Sequence, residues 1–264
     1  MDRRAFIIKS AAFLTGNFAV SRQFIKTAGA AIPPPKIKRR PCVAIIIDDI
    51  GYSRKRAWQF LKIGIPLTFS ILPQLTYSCE LASAIHDHGH EIMLHQPMEP
   101  YNMKNHNPGP AAIYTRHGRK QIQNTMALNI RSTPFVVGVN NHMGSRFTEQ
   151  QDKIRPALEV VRSNDLFFID SRTSGRSIAY KTALAMQMTT LPRHFFLDNT
   201  TLQPVISAQL NKLKRRALKY GYAIGIGHPF PWTVKAIARF ASNLNPSQIK
   251  LTYISEVLKI AKSV

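Results

Sequence analysis

From Cys42 onward, short apolar, β-branched runs alternate with longer amphipathic segments. Runs that are apolar throughout are typical of parallel strands covered on both faces. Their alternation with helical segments predicts repeated βα units around a parallel sheet. Eight strands are predicted, at Val43–Ile47, Leu67–Leu72, Glu91–Leu94, Phe135–Val139, Leu166–Ile169, Phe195–Leu197, Ala223–Ile226 and Leu251–Ile254.

The amphipathic segments between these runs predict helices, because apolar residues recur in them at helical spacing. The strand starts are roughly 25 to 45 residues apart, which is the length of a βα unit with its loops. We therefore expect an α/β fold, a distorted (β/α) barrel of seven to eight parallel strands. An open doubly wound sheet is the alternative that periodicity leaves open. The predicted helices are Tyr52–Ile63, Ser78–His88, Asp152–Ser163, Ile206–Lys219 and Trp232–Ala241.

The first 30 residues differ from the rest of the chain. Arg3 and Arg4 precede a weakly apolar stretch, and small residues around Ala30 match those that a signal peptidase accepts. We interpret residues 1–30 as a twin-arginine export signal, residues 31–40 as a basic, proline-rich linker and residues 41–264 as the globular domain. An anchor helix or a disordered basic tail is the alternative for the first segment. The export interpretation predicts a periplasmic or otherwise exported protein.

Charge and composition limit the classes of partner. The 264 residues include 36 Lys and Arg but only 14 Asp and Glu, a net charge of +22 that attracts polyanions. No zinc-finger or RNP-type pattern is present, so we expect a solvated basic surface and no specific nucleic-acid partner. The sequence contains no run of about 18 uncharged apolar residues, so we expect no transmembrane span after signal removal. Cys42 and Cys79 lack CxxC spacing, and the sequence leaves open whether they pair.

Six polar clusters come directly after predicted strands. Ligands bind at the carboxyl ends of the strands in barrels and open α/β sheets alike. Clusters that follow different strands are therefore expected to meet at one rim and form one site. The clusters are Asp48-Asp49, His95, Asn140-Asn141-His142, Asp170-Ser171-Arg172, Asp198-Asn199 and His228-Pro229.

The residue types at this rim indicate metal chemistry. Adjacent carboxylates at a strand end point in different directions, so one of Asp48 and Asp49 can bind a cation while the other faces a substrate. A helix cap is the simpler explanation of the pair, although Ser53 could supply that cap equally well. One Asp and two His form a ligand set with open positions, suited to Zn²⁺, Mn²⁺, Fe²⁺ or Ni²⁺. A metal so bound lowers the pKa of a water molecule and makes it a nucleophile.

At these motifs the chain resembles the divergent branch of the polysaccharide deacetylase family, which has a NodB-like β/α barrel. The resemblance extends from Pro41 to Val264. It rests on six runs of residues, which together include all six clusters. The runs are Ile47–Gly51, His90–Pro100, Asn140–Ser145, Phe167–Thr173, Phe196–Asn199 and Ile226–Pro229.

The resemblance implies a role for several residues. Asp48 corresponds to the general base, Asp49 and His95 to metal ligands, and His228 to the general acid. Classical members carry a second histidine four residues after the first, where this chain has Glu99. We expect His142 to supply the missing imidazole, with Glu99 as the competing candidate. Arg172 is expected to orient the base, and Glu99, Asn141, Asp170 and Asp198 are expected to contact the substrate.

The function implied by the resemblance is a metal-dependent hydrolase that removes acetyl groups from a cell-envelope polysaccharide. The expected cofactor is a divalent metal, zinc foremost, and the expected partner is an acetylated glycan such as a peptidoglycan fragment. The first alternative is a non-catalytic envelope protein that uses the same barrel to bind glycan or a partner. The second is a binder of nucleic acid or another anionic polymer, driven by the net charge.

Overall fold

The computed structural model describes residues 39–262, so the predicted export signal and most of the predicted linker lie outside the described residues. Strands and helices alternate along the described chain, as the sequence predicts. A short 3-10 helix, Phe147–Glu149, precedes α4. The elements are β1 Cys42–Ile50, α1 Arg54–Leu61, β2 Thr68–Ile71, α2 Ser78–Asp87, β3 Glu91–Met98, α3 Arg119–Ser132, β4 Val136–Met143, α4 Gln151–Ser163, β5 Phe167–Asp170, α5 Ala179–Ala185, β6 Thr190–Pro192, β7 Phe195–Phe196, α6 Gln203–Tyr220, β8 Tyr222–Gly227, α7 Pro231–Ser242, β9 Lys250–Thr252 and α8 Ile254–Lys262.

The strands form one parallel sheet. Its order is β6-β5-β4-β3-β2-β1-β8-β7, and β9 pairs with the first residues of β1. β6 and β7 stand at opposite ends of this order, yet only Arg193 and His194 separate them in the chain. The chain therefore passes directly from one end of the sheet to the other, which requires the sheet to curl. This confirms the distorted parallel barrel rather than the open doubly wound sheet.

β1 is buried on both faces, as its apolar run predicts. Val43, Ile45 and Ile47 pack against the surrounding helices, in a cluster with residues of α1, α2, α6 and α7. Ala44 and Ile46 belong to a second cluster, inside the barrel, together with residues of α8. This cluster closes the amino-terminal end of the barrel, so polar side chains that point inward gather at the carboxyl end.

Several predicted element boundaries were wrong. β1, β3 and β4 run past their predicted ends, so that Asp49, His95 and His142 lie within strands instead of after them. The predicted strands ended at the apolar residues just before Asp48, His95 and Asn140, but pairing of β3 with β4 continues through the polar residues to Met98 and Met143. The strand predicted at Leu251–Ile254 ends at Thr252, and Ile254 begins α8 instead. Four elements, α3, α5, α8 and β6, were not predicted from the sequence.

Two further features bear on the sequence predictions. None of the helices in residues 39–262 is long and apolar enough to cross a membrane. Cys42 and Cys79 are both free thiols, the first buried at the start of β1 and the second exposed on α2.

Candidate metal centre and active site

The end of β1 has an irregular backbone that positions the adjacent carboxylates. The register with β2 shifts between Ile47 and Ile50, and Asp49 has φ 59°. Successive side chains of a regular strand point to opposite faces, but this irregularity lets Asp48 and Asp49 line the same cavity. A left-handed backbone is uncommon outside glycine, and such strain is concentrated at functional sites. Ser53 caps α1, so neither carboxylate serves as the helix cap.

Asp49, His95 and His142 bring three potential ligand atoms together. Asp49 Oδ1 lies 2.9 Å from His142 Nδ1 and 3.2 Å from His95 Nε2, and the two histidine nitrogens are 3.2 Å apart. Asp49 Oδ1 is buried and accepts no hydrogen bond of good geometry. Ligands held 2.0–2.2 Å from one cation lie roughly 3 Å from one another, so the three atoms have the spacing of a metal ligand set.

Asn140 orients the ring of His95 in a way that suits metal binding at the other ring nitrogen. Its Oδ1 lies 2.7 Å from His95 Nδ1 and also accepts a hydrogen bond from Ser70 Oγ. Its amide nitrogen donates to Asp48 Oδ1 at 2.9 Å and to Ser171 Oγ at 3.2 Å, which fixes the orientation of the amide. His95 Nδ1 is then the donor to Asn140, and its Nε2 faces Asp49 and His142, where it can bind a cation once it is deprotonated. Metal-binding histidines are commonly fixed in this way through the other ring nitrogen.

Asp48 has the properties of a general base. It is 2% exposed, and one carboxylate oxygen accepts the hydrogen bond from Asn140. Its other oxygen, Oδ2, lies 3.5 Å from His95 Nε2, next to the cluster of ligand atoms. Burial raises the pKa of Asp48, although the nearby His95 and His228 oppose the shift. A carboxylate with a raised pKa takes up a proton more readily than one in water.

His228 is held as an acid by Asp198. Its Nδ1 donates to Asp198 Oδ1 at 2.8 Å, and its backbone N–H donates to Asp198 Oδ2 at 2.6 Å. Thr233 Oγ1 donates to the same Oδ2 at 2.7 Å. Burial opposes the charged form of His228, but the hydrogen bond and the charge of Asp198 outweigh it and raise the pKa to about 9. His228 is therefore protonated at neutral pH.

These groups line one open cavity of about 600 Å³ at the carboxyl ends of the strands. Its walls also include residues that the sequence analysis did not single out, namely His106 from the loop after β3 and the aromatic rings of Phe196 and Phe230. The predicted residues that line the cavity are Asp48, Asp49, His95, Asn141, His142, Asp198 and His228.

The structure places Glu99 outside the cluster of ligand atoms. Its Oε1 accepts from Arg146 at 2.9 Å, and its Oε2 accepts from the backbone and the hydroxyl of Thr115 at 2.5 and 2.7 Å. Burial opposes ionisation, but these donors lower the pKa of Glu99. Of the two candidates for the third ligand position, His142 and Glu99, the geometry favours His142 because the carboxylate of Glu99 is already bound within the protein.

Two other predicted substrate contacts are also bound internally. Asp170 Oδ1 accepts from the backbone of Arg172 at 2.8 Å, and Asp170 Oδ2 accepts from Ser177 Oγ at 2.8 Å and from the Tyr180 backbone at 3.1 Å. Asn141 lines the cavity, but its amide bonds the backbones of Met143 and Ser171, at 2.8 and 2.9 Å. Both residues therefore shape the loop after β5. Asp198, predicted as a substrate contact, holds His228.

An arginine close enough to interact electrostatically with the base was not identified from the sequence. Arg172, predicted to orient Asp48, is exposed and does not line the cavity, and Asn140 makes the hydrogen bond to Asp48 instead. Arg193, between β6 and β7, is partly buried, and its charge interacts with that of Asp48. The available signal was the position of Arg193, three residues before the run Phe196–Asn199 that had been matched to the family.

Comparisons with known proteins agree on family and fold. A family profile described as "Divergent polysaccharide deacetylase" matches residues 45–258. The uncharacterized protein YibQ of Escherichia coli K12 is 30% identical over 216 residues, 82% of this chain and 67% of that protein. An uncharacterized protein of Agrobacterium tumefaciens C58 superimposes with a TM-score of 0.77 at 24% identity, covering 85% of this chain and 92% of that one. A mutant with restored activity of a CE4 family pseudoenzyme from Bacillus anthracis gives a TM-score of 0.50 at 17% identity, covering 83% and 68%.

Proposed function

The chain belongs to the divergent polysaccharide deacetylase family, and from this membership we propose that it is a metal-dependent hydrolase that removes acetyl groups from a cell-envelope polysaccharide. One observation carries the proposal: a buried carboxylate, a group of three ligand atoms and a protonated histidine all line the same cavity. A protein that only binds glycan has no need of a base and an acid placed around a cation site.

Asp49, His95 and His142 would hold the metal, with zinc the first expectation from one carboxylate and two imidazoles. A metal bound there would polarise the acetyl carbonyl and lower the pKa of a water molecule. Asp48 removes a proton from the water that attacks the acetyl carbon. His228 then donates its Nε2 proton to the departing amine or alcohol, while Asp198 stabilises the imidazolium before this transfer. The products are acetate and the deacetylated sugar.

The location and the polymer belong to the same proposal. An export signal at residues 1–30 would deliver the protein to the periplasm, where acetylated peptidoglycan-related glycans are present. The open cavity suits a polymer better than a small molecule, because a glycan chain can extend beyond the cavity on either side. The second candidate function is glycan binding without catalysis. It is favoured by Glu99, which stands where classical members have a metal-binding histidine and is bound to Arg146 and Thr115.

The test is acetate release by zinc-loaded protein from N-acetylated chitooligosaccharides and from peptidoglycan fragments. We expect the wild-type protein to release acetate and Asp48→Asn to lose about 10²–10⁴-fold in rate, as for removal of a general base. Asp152→Asn, the same change at an exposed carboxylate on α4, is the matched control and should keep the wild-type rate. Zinc-loaded wild-type protein that binds these glycans but releases no acetate would favour the non-catalytic candidate.

A further inference from the structure

A smaller cavity of about 110 Å³, which we call the side pocket, adjoins the main cavity of the proposed active site. Asp49 and Phe230 line both cavities, so the two lie next to each other at the carboxyl end of the barrel. The other walls of the side pocket come from the turn between β1 and α1, the first turn of α1 and the loop after β8. Their residues are Ile50, Gly51, Tyr52, Ser53, Arg56 and Pro229.

The turn that carries Tyr52 is fixed by the residues on both sides of it. Gly51 has φ 135°, and a Cβ there would lie 3.0 Å from Leu75 Cδ1 and 3.0 Å from Ser78 Oγ. The turn therefore packs closely against the start of α2, which only glycine allows at this position. On the other side, Ser53 caps α1. The backbone thus holds Tyr52 in one place at the rim, where 62% of the residue is exposed.

The ring of Tyr52 extends from this turn toward the loop after β3. A Cβ added to Gly109 on that loop would lie 3.7 Å from the Tyr52 hydroxyl. Burial, followed by the charge of Asp49, raises the pKa of Tyr52, so the hydroxyl stays protonated at neutral pH. Within the described residues this hydroxyl forms no hydrogen bond. Tyr52 therefore offers a ligand both a flat apolar face and a hydrogen-bond donor.

Two phenylalanine rings continue this aromatic surface into the main cavity. The ring centroids of Phe230 and His228 lie 5.9 Å apart, and those of Phe196 and His228 lie 5.8 Å apart. The proposed acid is therefore flanked by two rings, and one of them, Phe230, also lines the side pocket. A ligand that extends from His228 past Phe230 enters the side pocket, which Tyr52 lines.

The walls of the side pocket have the chemistry of a sugar-binding surface. Ile50, Pro229 and the two rings are apolar, while the Tyr52 hydroxyl and the Arg56 guanidinium are hydrogen-bond donors. A sugar ring presents apolar C–H faces, which pack on aromatic rings, and hydroxyl groups that accept hydrogen bonds. The side pocket is much smaller than the main cavity of about 600 Å³. It therefore takes one sugar unit at most.

We propose that the side pocket is a second sugar subsite, in which Tyr52 stacks on the sugar next to the one that loses its acetyl group. The protein then binds oligomers more tightly than single sugars, because only an oligomer fills both the main cavity and the side pocket. This inference rests on the proposed function for the reaction, but the subsite itself is a binding property. It can therefore be tested without turnover.

The test measures how affinity depends on the length of the sugar chain. The ligands are N-acetylglucosamine and its β-1,4-linked dimer, trimer and tetramer. Calorimetry with zinc-loaded Asp48→Asn protein measures their affinities while hydrolysis is slowed, and the single sugar is measured by competition against the tetramer. We expect the tetramer to bind at least about tenfold more tightly than the single sugar, the gain from one packed ring and one hydrogen bond.

The variant Tyr52→Ala in the same background should remove most of this gain, whereas Tyr52→Phe should keep the larger part because it keeps the ring. Tyr220→Ala is the matched control and should keep the whole gain. Tyr220 is 42% exposed but ends α6 just before β8 begins, at the amino-terminal end of the barrel. Tyr52→Ala should still bind one zinc, because Tyr52 is not one of the three proposed ligands.

Three results would overturn the subsite. They are a tetramer that binds no more tightly than the single sugar, no binding at any chain length, and a gain that is the same in Tyr52→Ala as in the parent protein. A gain that Tyr52→Ala removes, without acetate release by wild-type protein, would overturn only the proposed reaction.

Discussion

Asn140 connects the two halves of the candidate site. It is fully buried and bonds both Asp48, the proposed base, and His95, a proposed metal ligand. Its amide oxygen and nitrogen are both occupied, so it cannot turn without losing a hydrogen bond. It acts through the residues that it orients, and we regard it as a positioning residue.

We predict that Asn140→Ala lowers zinc affinity about 10–100-fold, the usual effect of removing the group that orients a histidine ligand. The measurement is competition with a chromophoric chelator at fixed pH. Asn199→Ala is the control, because Asn199 also lines the cavity but is exposed. Unchanged zinc affinity in folded Asn140→Ala would show that His95 does not need this orientation.

A second prediction concerns the pH dependence of the reaction. The pKa of His228 is raised to about 9, and its protonated form is the acid. Activity should therefore persist at neutral pH and fall as the pH rises through about 9. Asp198→Asn removes the anion that holds the proton, so the alkaline limb of kcat/KM should move to lower pH. An alkaline limb that stays in place in Asp198→Asn would contradict the assignment of His228 as the acid.

At the residue scale, the sequence predicts best the side chains whose position follows from strand polarity. Asp49, His95 and His142 were expected at one rim, and their ligand atoms lie within 4.8 Å of one another. The sequence cannot predict partners that depend on register between distant strands. Asn140 lies 92 residues from Asp48 along the chain, and their hydrogen bond requires that β1 and β4 curl toward each other.

Among the secondary-structure elements, β4 and β5 pack closely because Gly138 on β4 has no side chain. A Cβ at Gly138 would lie 2.1–2.5 Å from atoms of the Phe167 ring, far inside contact distance. The pairing of Gly138 with Phe167 begins the register that carries Asn140 and His142 to the site. The ring thus fills the space that a side chain at Gly138 would need.

We predict that Gly138→Ala lowers the free energy of unfolding by about 1–3 kcal/mol, as overpacking does in a filled core. Urea denaturation measures this change. Phe167→Leu should recover part of the loss in the double variant, because the smaller side chain makes room. Gly118→Ala is the control, since nothing lies within 4 Å of its added Cβ. A loss in Gly138→Ala that Phe167→Leu does not reduce would argue against this contact as the cause.

The elements that were not predicted differ in how clearly the sequence indicated them. α3 buries Ile122, Met126 and Ile130 at helical spacing, so its signal was present in the sequence. β6 has only three residues and ends in Pro192, which leaves no period to detect. α8 was hidden because its first apolar residue was taken as the end of a strand. Its buried residues Ile254, Val257 and Leu258 have helical spacing.

Across the whole molecule, the barrel is filled by apolar side chains at one end and carries the polar cavity at the other. A metal bound at the cavity would link β1, β3 and β4, which carry Asp49, His95 and His142. Binding only to the folded state stabilises it by about 4 kcal/mol at a metal concentration 1,000 times the Kd. Chelation should therefore lower Tm, and zinc should restore it in the wild type but not in Asp49→Asn. If zinc raised Tm equally in both proteins, the metal would bind at a site that does not include Asp49.

The most direct test of the metal centre is the metal content of purified protein after repletion with zinc and removal of free ions. The geometry of Asp49, His95 and His142 predicts one zinc per chain, and loss of that zinc in Asp49→Asn. Glu99→Gln should retain it, because Glu99 is bound to Arg146 and Thr115. Substoichiometric zinc in the wild type, or full zinc content in Asp49→Asn, would contradict the account.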